Sequence, residues 1–226
     1  MLPRVVVDVD ETLISTSRRK HTVASRVLGV EIPFEAVETL SDRQLFEQYA
    51  SPEQMTYQGE LSRMYWDLLL CLDERGLELL HLDEAVPHAS EALRSWEGHC
   101  EIVYLTGRPE PMRSHTLEAL EGFGIPVEGA RLVMFDLADW ESFLSGNRMA
   151  LQETRERLFS NILEEGPVAR VVDDFPGYFR TYTKYGVPDR VGLLFSPRRT
   201  LQRFLDRGAT RVFESWRPLI DDIPGA

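Results

Sequence analysis

Three short stretches bring oxygen-bearing side chains to the ends of apolar runs. "RVVVDVD" (4–10) ends in Asp8 and Asp10, "YLTGRP" (104–109) carries Thr106, Gly107 and Arg108, and "RVVDDF" (170–175) holds adjacent Asp173 and Asp174. Alternate side chains of an extended segment share a face, and where the chain turns at its end two carboxylates can converge on one point. Two anions held together are tolerated when a hard cation lies between them, and Mg²⁺ prefers oxygen ligands of this kind. A hydroxyl followed by backbone N–H groups at a glycine turn can hold a phosphate oxygen. Each stretch also has a plainer reading. Asp8 and Asp10 could form a turn or cap, Thr106 could cap a helix starting near Pro109, and Asp173–Asp174 could cap a helix from Pro176.

The elements that must position these residues are legible from periodicity. "RVVVDV" (4–9), "EIVYLT" (101–106), "RLVMFD" (131–136), "ARVVDD" (169–174) and "RVGLLF" (190–195) are β-branched or aromatic and too short for helices. Helical patterns lie between them, in "HASEALRSW", "PMRSHTLEALEGFG" and "MALQETRERLFSNILEEG". Such alternation predicts an α/β fold, a Rossmann-like doubly wound parallel sheet covered on both faces. Ligands of such sheets bind outside the C-terminal strand ends, where Asp8, Thr106 and Asp173 fall.

Residues 15–86 break the alternation. They are too long for a strand–helix loop and read as helices, with Leu61, Met64, Tyr65, Leu68, Leu69 and Leu72 forming an amphipathic stripe that packs a core. This predicts a core domain of residues 1–14 and 87–226 and an inserted α-helical cap of residues 15–86, over the sheet's C-terminal edge.

Composition bounds the partners. The 226 residues include 25 basic and 37 acidic ones, a formal net charge of −12, which argues against a nucleic-acid polymer or an anionic membrane as partner. Only two cysteines occur, Cys71 and Cys100, outside any paired motif, and read as reduced structural thiols. With neither a secretory leader nor a long apolar run, the sequence reads as a soluble, cytoplasmic protein.

In order, and each at a predicted strand end, "DVDET", "LTGR" and "VVDD" resemble the first, second and fourth motifs of the haloacid dehalogenase (HAD) superfamily of phosphohydrolases. The resemblance spans about residues 3–200, and the helical insertion falls where that superfamily places a cap. It implies a Mg²⁺-dependent phosphatase acting on a small phosphorylated metabolite. Asp8 would be the nucleophile that forms an aspartyl-phosphate, and Asp10 the general acid and base. Thr106 would bind the transferring phosphoryl group, with Gly107 and Arg108 beside it on the substrate. Asp8, the Asp10 carbonyl and Asp174 would ligate Mg²⁺, with Asp173 ligating through water or orienting the site.

One motif departs from the pattern. The superfamily's third motif is normally a lysine on the helix before the fourth strand, and this chain's only lysines are Lys20 and Lys184. Arg155 lies 18 residues before Asp173, with Leu158, Phe159 and Ile162 on the same helical face. It is the expected substitute, with Arg148 and Arg157 as rivals. The corresponding expectation is that Arg155→Ala lowers turnover sharply and leaves the fold intact. The missing lysine also keeps open a catalytically weak binding or regulatory module, and a phosphomutase would use the same carboxylates. "STSRRKHT" (15–22) reads either as an anion-steering patch or as a solvated basic loop, and Asp221–Asp222 as a surface turn.

Overall fold

A computed structural model describes residues 2–225. The chain divides into two compact units: Met1–Ile14, Ala85–Phe195 and Arg199–Ala226 form one, Ser15–Glu84 with Ser196–Arg198 the other. Among the described residues the first unit contains a six-stranded sheet built from β1 (Arg4–Val7), β4 (Glu101–Pro109), β5 (Arg131–Phe135), β6 (Val168–Asp173), β7 (Asp189–Leu193) and β8 (Arg211–Phe213). β2 (Ile14–Ser15) and β3 (Glu84–Ala85) pair in a separate two-stranded sheet.

All neighbours in the large sheet are parallel, in the order β5-β4-β1-β6-β7-β8. The chain therefore winds outward in both directions from β1, and the direction reverses between β1 and β6. In doubly wound sheets the crevice at that reversal is where ligands bind. Register aligns the motifs there. Val7 pairs with Tyr104 on one side and Val172 on the other, so the next residues, Asp8, Leu105 and Asp173, lie at one level.

Buried strands of this kind carry continuous apolar runs, because helices cover both faces. The helices of this unit are α7 (Ala89–Trp96), α8 (Arg113–Gly122), α9 (Leu137–Leu144), α10 (Ala150–Glu164), α11 (Phe179–Lys184) and α12 (Leu201–Asp206). Val6, Val103 and Val171 pack with Phe159 and Ile162 of α10, Phe179 and Tyr182 of α11, and Phe204 of α12. Burying each such side chain stabilises the fold by about 1.5–3 kcal/mol.

The sixth strand is absent from the sequence reading. β8 is only three residues long, and Arg211 at its start hides the apolar pattern. The tail beyond it lies only partly on the surface. Trp216 is fully buried against Trp96, ring centroids 5.9 Å apart, and its Nε1 donates to the Thr12 carbonyl at 2.8 Å. Asp222 accepts from Arg211 at 2.8 Å, whereas Asp221 remains exposed with φ 61°. Trp216 thus fixes the turn that follows Asp8. Trp216→Ala is expected to cost about 3–5 kcal/mol in denaturant unfolding followed by circular dichroism. A loss under 1 kcal/mol would mean that the turn is anchored elsewhere.

The second unit is helical, with α1 (Ser17–Leu28), α2 (Phe34–Thr39), α3 (Asp42–Tyr49), α4 (Pro52–Thr56), α5 (Gln58–Leu69) and α6 (Glu74–Leu77). Ser41 and Ser51 each begin a helix with a reciprocal capping box, to Gln44 and Gln54, which divides the long helical patterns into shorter pieces. Leu61, Tyr65, Leu68 and Leu69 of the stripe are buried with Val23, Val27, Leu45 and Phe46, but Met64 is exposed. The basic stretch is a helix rather than a loop. Arg19 is buried, donating from Nε to Asp83 at 2.8 Å and from Nη1 to the Leu69 carbonyl. His21 is bonded to the Ile32 carbonyl at 2.6 Å, so neither side chain is free to steer an anion. Three residues from the β7–α12 connection, Ser196–Arg198, also belong to this unit, where Arg198 Nη1 donates to the Leu40 carbonyl at 2.8 Å. No helix among the described residues is long and apolar enough to cross a membrane.

Candidate active site

The end of β1 turns sharply. The N–H groups of Leu13 and Ile14 both donate to the Val9 carbonyl, at 2.8 and 3.0 Å. Glu11 takes φ 61°, a left-handed conformation that costs a non-glycine residue roughly 1–2 kcal/mol. The turn separates the two acids of the first motif. Asp8 is buried on the sheet axis, its backbone N–H bonded to the Val172 carbonyl at 2.9 Å, whereas Asp10 is half-buried.

Asp8, Asp173 and Asp174 form one cluster, with carboxylate oxygens within 4.8 Å of one another. The carboxylate of Asp10 is not part of it. Arg108 holds Asp10 instead, donating from Nε to Oδ1 and Oδ2 at 3.0 and 3.1 Å and from Nη2 to Oδ1 at 2.8 Å. Thr106 Oγ1 donates to Asp10 Oδ2 at 3.2 Å and accepts from the Arg108 N–H at 3.1 Å. Both Thr106 and Arg108 are buried. β4 runs on through Gly107 and Arg108 as strand with an irregular register, rather than turning at the glycine, and Trp140 Nε1 donates to the Gly107 carbonyl at 2.7 Å.

Arg155 lies at the centre of the cluster, 1% exposed. It projects from the buried face of α10 four and seven residues before Phe159 and Ile162. Nη1 donates to Asp8 Oδ1 at 2.9 Å and to the Leu105 carbonyl at 2.8 Å. Nη2 donates to Asp173 Oδ2 at 2.6 Å and to the Tyr182 hydroxyl at 2.9 Å, which Nε also reaches at 3.2 Å. A guanidinium has five N–H donors, and here protein groups accept all five. The ring of Tyr178 faces it at 4.6 Å. Arg148 and Arg157 are exposed, and Arg157 pairs with Asp139 at 3.2 Å.

Both oxygens of Asp173 are likewise engaged. Oδ1 accepts from the Phe175 N–H at 2.8 Å, and Oδ2 from the Tyr182 hydroxyl at 2.6 Å as well as from Arg155. Asp8 Oδ2 accepts from Thr12 Oγ1 at 3.2 Å, and Asp174 Oδ2 accepts from Arg199 Nη1. Sequence reading missed Thr12 and Arg199. Thr12 had a signal, its place within "DVDET", whereas Arg199 lies 25 residues beyond Asp174 with no periodic relation to any motif.

Crowding shows in the electrostatics. Burial and the neighbouring Asp173 push the Asp8 carboxyl well above the ordinary range, although Arg155 opposes them. Burial pushes Asp174 up to about 6, against the pull of Arg199. Burial disfavours the charge of Arg155, but Tyr182, Asp173 and Asp8 outweigh it and hold the guanidinium more firmly protonated than usual. Three converging, all-oxygen carboxylates, two of them pushed toward the neutral form, fit a hard divalent cation such as Mg²⁺. Asp8 and Asp174 accept from fewer protein donors than Asp173, which is held by Arg155, Tyr182 and the Phe175 N–H.

No family model and no curated protein matches the sequence. Solved structures do match, at low identity. A HAD-like hydrolase from Streptococcus pneumoniae aligns at TM-score 0.64 and 11% identity over 96% of both chains. A predicted phosphatase from Clostridium acetobutylicum aligns at TM-score 0.67 and 14% identity over 98% of both. A HAD family hydrolase from Deinococcus radiodurans, with bound phosphate and sodium, aligns at TM-score 0.58 and 18% identity, over 96% of this chain and 93% of its own. The chain therefore has the fold of HAD-like hydrolases.

Proposed function

We propose that this protein is a metal-dependent phosphatase that hydrolyses a small phosphate monoester through an aspartyl-phosphate on Asp8. The observation that carries this reading is the buried group of Asp8, Asp173 and Asp174 threaded by Arg155, with Asp10 held separately beside it. Two kinds of acid are needed, one to attack phosphorus and one to move a proton, and they work best in different surroundings. Asp8 is fixed by Arg155 and Thr12 in the cluster; Asp10 is more accessible and held by Arg108 and Thr106.

An oxygen of Asp8 would form a bond to phosphorus as the bond to the leaving oxygen breaks, and Asp10 would supply the proton that this oxygen takes. Asp10 would then accept a proton from the water that attacks the aspartyl-phosphate, releasing phosphate and restoring Asp8. A bound Mg²⁺, held by Asp8 and Asp174, would offset charge between the anionic nucleophile and the anionic substrate. Arg155 acts as a positioning residue, holding Asp8 and Asp173 in place with a fork that a lysine could not reproduce. Arg108 likewise orients Asp10 rather than meeting substrate.

Hydrolysis of para-nitrophenyl phosphate tests the reading. Activity is expected with added Mg²⁺ and is expected to fall at least 100-fold, an order-of-magnitude figure, with excess chelator. Undiminished turnover in chelator would overturn the metal-dependent reading. Folded protein that binds Mg²⁺ without turning over this or other phosphomonoesters would favour the binding module.

A further inference from the structure

Arg155 stands at the expected place of the motif cation, but all five of its donors are taken by Asp8, Asp173, Leu105 and Tyr182. It is 1% exposed and so cannot also receive a phosphate oxygen. Arg108 is buried, with Nε and Nη2 committed to Asp10. A phosphoryl group entering beside Asp8 therefore needs a cationic partner other than Arg155.

We infer, building on the phosphatase reading, that Arg199 is this partner: it pairs with Asp174 until a divalent cation takes that carboxylate, and then binds the substrate's phosphoryl group. Three features separate Arg199 from Arg155. It lies in the irregular connection between β7 and α12, so no helical or sheet bonds hold its backbone in place. Its side chain keeps 15% exposure, against 1% for Arg155. Its ion pair is with Asp174, Asp173 and Glu11 add to the attraction, and the ring of Phe175 lies 5.4 Å from the guanidinium carbon. An aromatic face supports a guanidinium without using its N–H donors, so Arg199 can turn on that surface while keeping donors for an anion.

Charge explains the exchange. Asp174 is a carboxylate that Mg²⁺ coordination needs, so Arg199 and the cation compete for the charge of one carboxylate. By linkage, whatever Arg199 gains from Asp174 weakens the cation by the same factor. The freed fork then suits a phosphate's adjacent oxygens, which a guanidinium meets bidentately.

Titration calorimetry of the full chain with Mg²⁺ alone, and with inorganic phosphate at saturating Mg²⁺, tests this in the wild type, Arg199→Gln, Arg199→Lys and Asp174→Asn. Arg199→Gln is expected to bind Mg²⁺ roughly tenfold more tightly and phosphate roughly tenfold more weakly. Arg199→Lys, which keeps the charge, is expected to stay near the wild type for Mg²⁺ and to recover part of the phosphate affinity. Opposite shifts are the signature, since a merely structural role would weaken both ligands together. Unchanged or weaker Mg²⁺ binding in Arg199→Gln overturns the exchange. If Asp174→Asn has by then lost Mg²⁺ binding, the metal site itself stands. Absence of Mg²⁺ binding in the folded wild type would overturn both the exchange and the metal-dependent reading.

Discussion

Arg155→Ala is expected to lose turnover on the order of 10²–10³-fold and also to destabilise the protein by about 3–5 kcal/mol. The second effect revises what the sequence alone suggested, that the fold would be untouched. A surface arginine could be removed at little cost, but this one is 1% exposed and answers two buried carboxylates. Without it Asp8 and Asp173 face each other with no intervening positive charge, and the Leu105 carbonyl loses a buried donor. For a chain of this length the loss corresponds to a Tm lower by roughly 10 °C.

Arg155→Lys separates charge from geometry. A lysine restores the positive charge but has three donors on one nitrogen, and it cannot span Asp8, Asp173, Leu105 and Tyr182 together. Its stability and kcat are expected to fall between those of the wild type and the alanine variant. Thermal unfolding and steady-state hydrolysis of an aryl phosphate measure both. An alanine variant with wild-type Tm and turnover would remove Arg155 from the site.

Asp8→Asn gives the second large effect, a fall in kcat of about 10⁴-fold or more, because the amide cannot form the acyl phosphate. Stability is expected to move the other way, with Tm at or above that of the wild type. Burial and Asp173 already push the Asp8 carboxyl toward its neutral form, so a neutral amide relieves the crowding and can still accept from Arg155. Asp10→Asn distinguishes the roles of the two acids. An aryl leaving group needs little protonation, whereas the attacking water still needs a base. This variant is therefore expected to release one equivalent of aryl alcohol in a burst and then stall. Rapid-quench measurement of the burst checks it, and a substantial steady-state rate in Asp8→Asn would overturn the assignment of the nucleophile.

Much of the architecture was legible in the sequence because it rests on local pattern. Short β-branched runs mark five of the six sheet strands, and the motif acids sit at their ends because a buried strand has no other place for charge. Arg155 could be singled out because helical periodicity puts it on the face carrying Phe159 and Ile162. Periodicity reports which way a residue faces; it does not report what waits there. That Arg108 would hold Asp10, 98 residues away, and that Arg155 would reach Asp8 across 147 residues, depended on the parallel register that brings β4, β1 and β6 to one level. Trp216 reaching Thr12 and Arg199 reaching Asp174 are likewise contacts made by irregular segments, which have no period to read. The sequence by itself determined five of the sheet's strands, the order of the motifs and the acids they carry, because these follow from local hydrophobic pattern and residue type. Only the tertiary structure decided which cation answers which acid, because hydrogen-bond donors are allotted by distance in space.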